Sequence, residues 1–455
     1  MIQNISLFEK DPVPKAVFKL AVPTVISMLV TVLYNMVDTF FVGQTGDPNQ
    51  VAAVSVATPV FLLLMAVGNM FGVGGSTFLS RALGEKNYDK VSHISSFCFY
   101  GGIAAGIAGG AVFLLFAAPI MTASGASHNT LRYACTYLQY IAWGAPAIVL
   151  SSAFSNLVRG EGSAKISMNG MMLGTIANII LDPVFILHEI SFGPVHICLL
   201  GMGVVGAAIA TVIGNILTVA YYLVYILKGT SLLSLHLSDF MTGCGILTGV
   251  IAIGLPASIN NILMSTSNII LNKFLASYGD TAIASMGIAM KANMLVVFIQ
   301  LGLAMGSQPL IGYNYGSRNF KRMKSVMRFT MICNIIAGTT LTAVYLVFTN
   351  QIVGIFIHNK EVIEQGVPML RALMLSAPVL GIMFVFEFTF QALGKAVPTL
   401  VLSISRQGFV FIPMLFIGRL FAGLNGIIFA QPVADIFAVF ISLGMFLKIN
   451  KGFRI

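Results

Sequence analysis

Ala21-Val22-Pro23-Thr24 returns as Gly254-Leu255-Pro256-Ala257, and from Val51 onward the chain repeats itself at a constant offset of 232 positions. Gly74 pairs with Gly306, Gly84 with Gly316, Lys86-Asn87-Tyr88 with Arg318-Asn319-Phe320, Ala145-Pro146 with Ala377-Pro378, and Gly162 with Gly394. One offset held this long marks an internal duplication. In a strongly apolar chain, duplication points to a secondary transporter whose sites lie between or within its repeats.

Composition supports a bilayer as the solvent. The 455 residues are 57% hydrophobic and only 9% charged, where a soluble chain carries about 25% charge. Apolar runs of the ~20 residues needed to cross hydrocarbon recur, and such runs satisfy their backbone as helices. Twelve spans are expected, at 16–43, 51–79, 91–118, 132–157, 165–188, 199–227, 246–276, 282–311, 325–349, 366–392, 398–418 and 423–449. Six per half is even, so the halves enter the membrane from the same side. The fold class is therefore an all-α membrane protein of two parallel six-helix repeats, related by a pseudo-two-fold axis along the membrane normal. The expected division is an N-lobe over 1–227, a cytoplasmic linker over 228–245 and a C-lobe over 246–455.

Charge orients the bundle. Nineteen of the 25 Lys and Arg residues, Lys10, Arg81, Arg159, Arg322 and Arg406 among them, fall at ends or loops on the N-terminal side. Five (Arg132, Lys273, Lys360, Arg371 and Arg419) fall on the other, and Lys291 lies inside a span. The positive-inside rule then places both termini in the cytoplasm of a multi-pass protein. Topology accounts for the net charge of +10, so no nucleic-acid partner is assigned; the run Arg318 to Arg328 suits anionic lipid. The first fifteen residues hold Glu9, Lys10, Asp11 and two prolines, which is not the pattern of a cleavable signal peptide.

Cys98, Cys135, Cys198, Cys244 and Cys333 show no metal-ligand spacing and read as free thiols. Gly102, Gly106 and Gly110 recur every four residues and suit close helix approach. The segment Gly72-Val73-Gly74-Gly75 reads as helix packing, not as a phosphate loop, because it lacks the lysine. The six histidines lie near membrane edges or in loops, and no nucleophile with its base is apparent, so no enzyme is expected.

Chemistry is expected where polar groups enter hydrocarbon, at a cost of roughly 2.5–3.5 kcal/mol for a central Asp or Lys. Asp38 and Asp182 are set at similar depth below the outer ends of the first and fifth spans. Asn178 is one turn before Asp182 on the same face, and Thr211 on the sixth span reaches the same level. Two carboxylates, an amide and a hydroxyl make an all-oxygen cluster suited to a hard cation such as Na⁺. The cluster also suits a proton, since neighbouring carboxylates in low dielectric do not both keep their charge readily. The alternative is that Asp182 caps or breaks its helix before Pro183 while Asp38 snorkels outward. In the other half, Lys291, Glu387 and Asp435 are the charged candidates; a Lys291–Asp435 ion pair fits the spacing, with Glu387 deeper and alone or at the cytoplasmic mouth.

These residues resemble the multidrug and toxic compound extrusion (MATE) transporters over essentially the whole chain. The resemblance rests on the paired six-helix lobes, on Leu157-Val158-Arg159-Gly160-Glu161-Gly162 with its echo Gln391-Ala392-Leu393-Gly394, on Asn178 to Pro183, and on Gln431-Pro432-Val433-Ala434-Asp435. It is nearest the MepA-like and DinF-like bacterial branch. It implies the MATE fold of V-shaped lobes in the inner membrane, and alternating access that exports organic cations or amphiphiles against inward Na⁺ or H⁺. No cofactor beyond the coupling ion is implied, and a monomer suffices.

Carried over by position, the resemblance makes Asp38, Asn178, Asp182 and Thr211 the side-chain ligands of the N-lobe cation, with Ala207 supplying a carbonyl. Lys291 matches a basic position in the MepA-like branch, whereas the seventh span offers Asn260 and Asn261 but no carboxylate, and Glu387 does not align with the tenth-helix acid used by some members. It also brings Tyr34, Asn35, Met65, Asn69, Met264, Met294 and Gln300 toward the substrate cleft, and 24 methionines suit varied ligands. Pro23 and Pro256 are the candidate hinges. A lipid-linked oligosaccharide flippase of the same superfamily is the alternative; it would want a more basic cavity than Lys291 alone provides.

Overall fold

The computed structural model describes residues 2–45, 47–192, 195–243, 245–357 and 359–451. The first half runs α1 (Ile2–Glu9), α2 (Val13–Gly43), α3 (Pro48–Gly84), α4 (Tyr88–Leu115), α5 (Ala117–Ala123), α6 (His128–Trp143), α7 (Ala145–Gly160) and α8 (Ala164–Ile186). A small antiparallel hairpin, β1 (Glu189–Phe192) with β2 (Val195–Cys198), leads into α9 (Val204–Leu227). The second half runs α10 (Ile246–Ala276), α11 (Asp280–Gly316), α12 (Phe320–Val347), α13 (Thr349–Phe356), α14 (Lys360–Met374), α15 (Ala377–Ala392) and α16 (Ala396–Ile404). A π-helical turn (Ser405–Val410) then passes into α17 (Phe411–Asn450).

Among the described residues nine helical stretches are long and apolar enough to cross a membrane, or eleven when the bent pairs α6–α7 (59°) and α14–α15 (49°) each count as one broken span. The stretch Ala396–Asn450 is 55 residues long, about 80 Å as a straight helix and far more than one crossing needs. It is broken at Gly423, whose φ of 58° and ψ of −130° are not helical. A Cβ on Gly418 would strike the backbone of Gly426, so the chain turns back there and supplies two spans.

The duplication is legible in the backbone. Lys86 and Arg318, counterparts at the 232 offset, both have φ of 58°. Gly162 and Gly394 take φ of 93° and 72° just beyond α7 and α15, the left-handed closure glycine allows at a helix end.

The chain forms two compact units, one of residues 1–4 with 30–254 and one of 5–29 with 255–455. These differ from the expected 1–227 and 246–455 lobes because the first half of α2 is assigned to the second unit and the first turns of α10 to the first. The cause is the repeated glycine. A Cβ on Gly74 of α3 would meet the Val250 carbonyl of α10, and one on its counterpart Gly306 of α11 would meet the Ala21 backbone of α2. Each glycine lets a neighbouring backbone approach too closely for any side chain.

In the first unit, the glycines at 102, 106 and 110 pack α4 on α6 and α7: a Cβ on Gly106 would lie 2.5 Å from Pro146 Cα and one on Gly110 2.5 Å from the Ala142 carbonyl oxygen. The segment after α9 is strapped along α4. Ser95 and Ser96 donate to the carbonyls of Ser234 and His236, and Tyr100 to that of Leu235. In the second unit, α1 is docked by Arg322, which donates to the carbonyls of Leu7, Phe8 and Asp11, while Phe8 stacks on Tyr313 at 4.7 Å. Arg322, one of the run Arg318 to Arg328 that suits anionic lipid, thus closes a helix end. Cys98 is buried, Cys135 and Cys333 are half-buried, and all three are free thiols; the side chain of Cys198, and Cys244, lie outside the described residues.

Candidate ion site in the first unit

Two helices touching at their backbones build the site. A Cβ on Gly214 of α9 would lie 2.7 Å from the Gly174 carbonyl oxygen of α8, and one on Gly174 would lie 2.5 Å from the Gly214 carbonyl oxygen. This approach brings Asn178 and Asp182, one and two turns along α8, against Thr211 of α9. All three are buried, Asp182 completely.

Asn178 is the bridge. With its amide oriented to match both neighbours, it donates to Asp182 Oδ2 at 2.9 Å and accepts from the Thr211 N–H at 3.0 Å. The Thr211 Oγ1 lies 3.4 Å from the same amide and 3.4 Å from the Tyr34 hydroxyl. Asn215 donates to the Thr211 carbonyl at 2.8 Å and accepts from Ser151 at 2.5 Å, tying α7 to the cluster. Helix α8 passes through Pro183 to Ile186, so Asp182 neither caps nor ends it. Ala207 is buried one turn before Thr211. Asp38 falls on α2 one turn after Tyr34; its side chain and that of Asn35 lie outside the described residues.

A cavity of about 570 Å³ opens at the same end of the unit, lined in part by Thr45, Gln50, Thr136, His188, Ile186 and Val204. Ile186 is one turn beyond Asp182, and Val204 one turn before Ala207. The cavity therefore ends about one helical turn from the cluster.

Outside the cluster, the expected cleft residues divide. Met264 is exposed, while Met65, Asn260, Asn261 and Met294 are half-buried. Asn69 accepts from Ser152 at 3.0 Å and from Asn156 at 3.4 Å. Gln300 is completely buried and donates to the Ala377 carbonyl at 2.6 Å; it joins α11 to α15 and has no surface to offer a substrate. Helices α2 and α10 run through Pro23 and Pro256 without interruption.

The charged set of the second unit is paired differently from the expectation. Asp435 binds Arg406, with Nε 2.8 Å from Oδ1. Lys291 is exposed and makes no ion pair among the described residues. Arg406, expected at a cytoplasmic end, lies in the π-helical turn inside the Ala396–Asn450 stretch. The extra residue of that turn re-aims side chains, which linear spacing does not reveal. Glu387 is buried on α15.

The family model described as MatE matches twice, over residues 23–184 and 256–417. The chain belongs to the MatE family. Each copy begins at the repeated proline. The multidrug export protein MepA of Staphylococcus aureus (strain MRSA252) is 35% identical over 434 residues, covering 95% of this chain and 93% of that protein. MepA of Staphylococcus saprophyticus is 33% identical over 433 residues, with coverage of 95% and 93%. A structure of an outward-facing multidrug resistance MATE family transporter of the MOP superfamily superposes with a TM-score of 0.92 at 25% identity, covering 99% of both chains. A MOP superfamily transporter from Pyrococcus furiosus, reported with reversed binding-pocket polarity, gives 0.91 at 25% identity over 99% and 98%. The fold is thus that of the MATE multidrug-efflux transporters, a multi-pass helical membrane protein of two repeats.

Proposed function

We propose that this MatE-family transporter exports organic cations or amphiphiles by alternating access, coupled to inward Na⁺ or H⁺ held in the first unit, with both termini in the cytoplasm of a bacterial inner membrane. The observation that carries the reading is the buried Asp182–Asn178–Thr211 cluster. A buried carboxylate whose one oxygen is already oriented by an amide is prepared for a cation or a proton. Asp38, one turn beyond Tyr34, completes the ligand set, and the cavity near Ile186 is the external approach.

Coupling follows from linkage. The ion changes the equilibrium only by binding one conformation more tightly than the other, and the substrate must prefer the reverse. Pro23 and Pro256 are the bend points in this reading, and Met65, Met264 and Met294 supply adaptable substrate surface. The names of the MepA relatives support small-molecule export. Reconstituted protein, with a Na⁺ gradient and a pH gradient imposed separately, tests it: ethidium-like cations move against one of the two gradients. Transport indifferent to both, or lipid translocation without drug transport, sinks the proposal and favours a flippase.

A further inference from the structure

The second unit carries a charge cluster that the ion site of the first does not explain. Asp435, 2% exposed, accepts from Arg406 Nε, Gln431 Nε2 and Ser376 Oγ, each at 2.8 Å. Three donors from α17 itself, the π-helical turn and the start of α15 leave that carboxylate well satisfied. Arg406 is not equally satisfied. Of its five N–H donors only Nε has an acceptor among the described residues, and its guanidinium carbon lies over the Phe384 ring, 5.3 Å from the centroid.

Phe384 points to the next group. Glu387 follows it by three residues on α15, so the two side chains are neighbours on one helix face. Glu387 is 6% exposed and makes no hydrogen bond among the described residues. Arg406, whose guanidinium lies over that same Phe384 ring, is thereby set against the face of α15 that carries Glu387. The cluster thus holds two buried carboxylates and one guanidinium with spare donors, on a π-helical turn of the kind often found at functional sites.

We propose that Arg406 is a tethered cation with two berths, Asp435, where it rests in this structure, and Glu387, which it reaches by swinging across Phe384. The second unit then rearranges its internal charge without taking an ion from solution. Only a side-chain rotation is needed, because the guanidinium plane can slide over an aromatic face while keeping a favourable contact. This is independent of which ion the first unit takes.

A double-mutant cycle on the purified full-length protein tests it. Asp435→Asn and Glu387→Gln each leave Arg406 one carboxylate, and each lowers the melting temperature modestly. Combined, they strand a half-buried guanidinium, and the loss exceeds the sum of the singles. Adding Arg406→Gln to that pair removes the stranded charge and restores folded yield, even where the double variant fails to fold. Glu387→Asp keeps the second berth and behaves as wild type in the cycle. Ethidium transport separates a moving cation from a fixed bridge: the folded Glu387→Gln variant loses most of its rate. Strict additivity, Asp435→Asn alone as damaging as the pair, or undiminished transport by Glu387→Gln would each overturn the proposal.

Discussion

Gly174 and Gly214 press the backbones of α8 and α9 together, each occupying the space the other's Cβ would need. The contact is one turn from both Asn178 and Thr211, so the helix spacing and the spacing of these side chains are set by the same residues. Gly214→Val should cost about 1–3 kcal/mol by overpacking and separate Asn178 from Thr211. Thermal melting of the purified variant, with and without saturating coupling cation, checks this; an unaltered cation-induced shift would show that helix separation does not govern the site.

Asp182→Asn removes the only carboxylate in the described part of the cluster. The isosteric amide keeps the packing of a fully buried position, so the protein should fold while coupled transport falls by at least two orders of magnitude. Thr211→Val is milder: if the hydroxyl is a ligand as proposed, its loss should weaken apparent cation affinity about tenfold, near 1.4 kcal/mol. Rates measured across a range of cation concentrations distinguish the two, since Thr211→Val regains its rate at high cation and Asp182→Asn does not.

The grouping of Asn178, Asp182 and Thr211 was readable because polar groups in long apolar runs are rare and need a reason, and because residues three or four apart share a helix face. Arg406 was misplaced for a related cause. Its pairing depends on a π-helical turn and on Asp435, 29 positions later. The Gly74–Gly306 repeat was visible, but the partners of those glycines, Val250 and Ala21, are set by packing between distant helices. Gln300 was placed toward the cleft through the span it lies on; its orientation toward the Ala377 carbonyl is tertiary information.

Glu161, just beyond α7, anchors the segment after α9. It accepts from Tyr225 at 2.8 Å, Ser231 at 2.8 Å and the Leu232 N–H at 3.0 Å. Burial pushes its carboxyl above the usual carboxylate range, against the hydrogen bonds that favour its charge. The docked state therefore holds the proton more tightly than the undocked state. Docking is strongest below the ordinary value near ~4.3 and weakens as pH rises through the raised one. Hydrogen exchange in residues 229–240, corrected for intrinsic rates, should show protection falling from pH 4 to pH 8. Glu161→Gln should flatten that dependence; an unchanged slope would mean that another group titrates.

Access to the cluster is testable at Thr136, which lines the cavity whose inner residues include Ile186. In a variant with the native cysteines replaced, Thr136→Cys should react with an impermeant cationic thiol reagent added outside. The attached charge should then slow cation-driven transport severalfold. Reaction without any effect on rate would place the ion's route elsewhere.

Tyr34 separates the roles of ion and substrate. Its hydroxyl is 3.4 Å from Thr211 Oγ1, a long contact between half-buried and buried groups, and a neutral hydrogen bond is worth about 0.5–1.5 kcal/mol. If the ring belongs to the ion site through that hydroxyl, Tyr34→Phe weakens apparent cation affinity by about threefold to tenfold and leaves the substrate KM unchanged. If the ring belongs to the substrate surface, Tyr34→Phe is nearly silent and Tyr34→Ala raises the KM. The 3.4 Å contact favours the first pattern, because only the hydroxyl reaches Thr211 and the ring would remain for any apolar ligand. Cation-dependence and substrate-dependence curves on the same preparations decide between them, with a KM change in Tyr34→Phe at constant cation affinity counting against its place in the ion site.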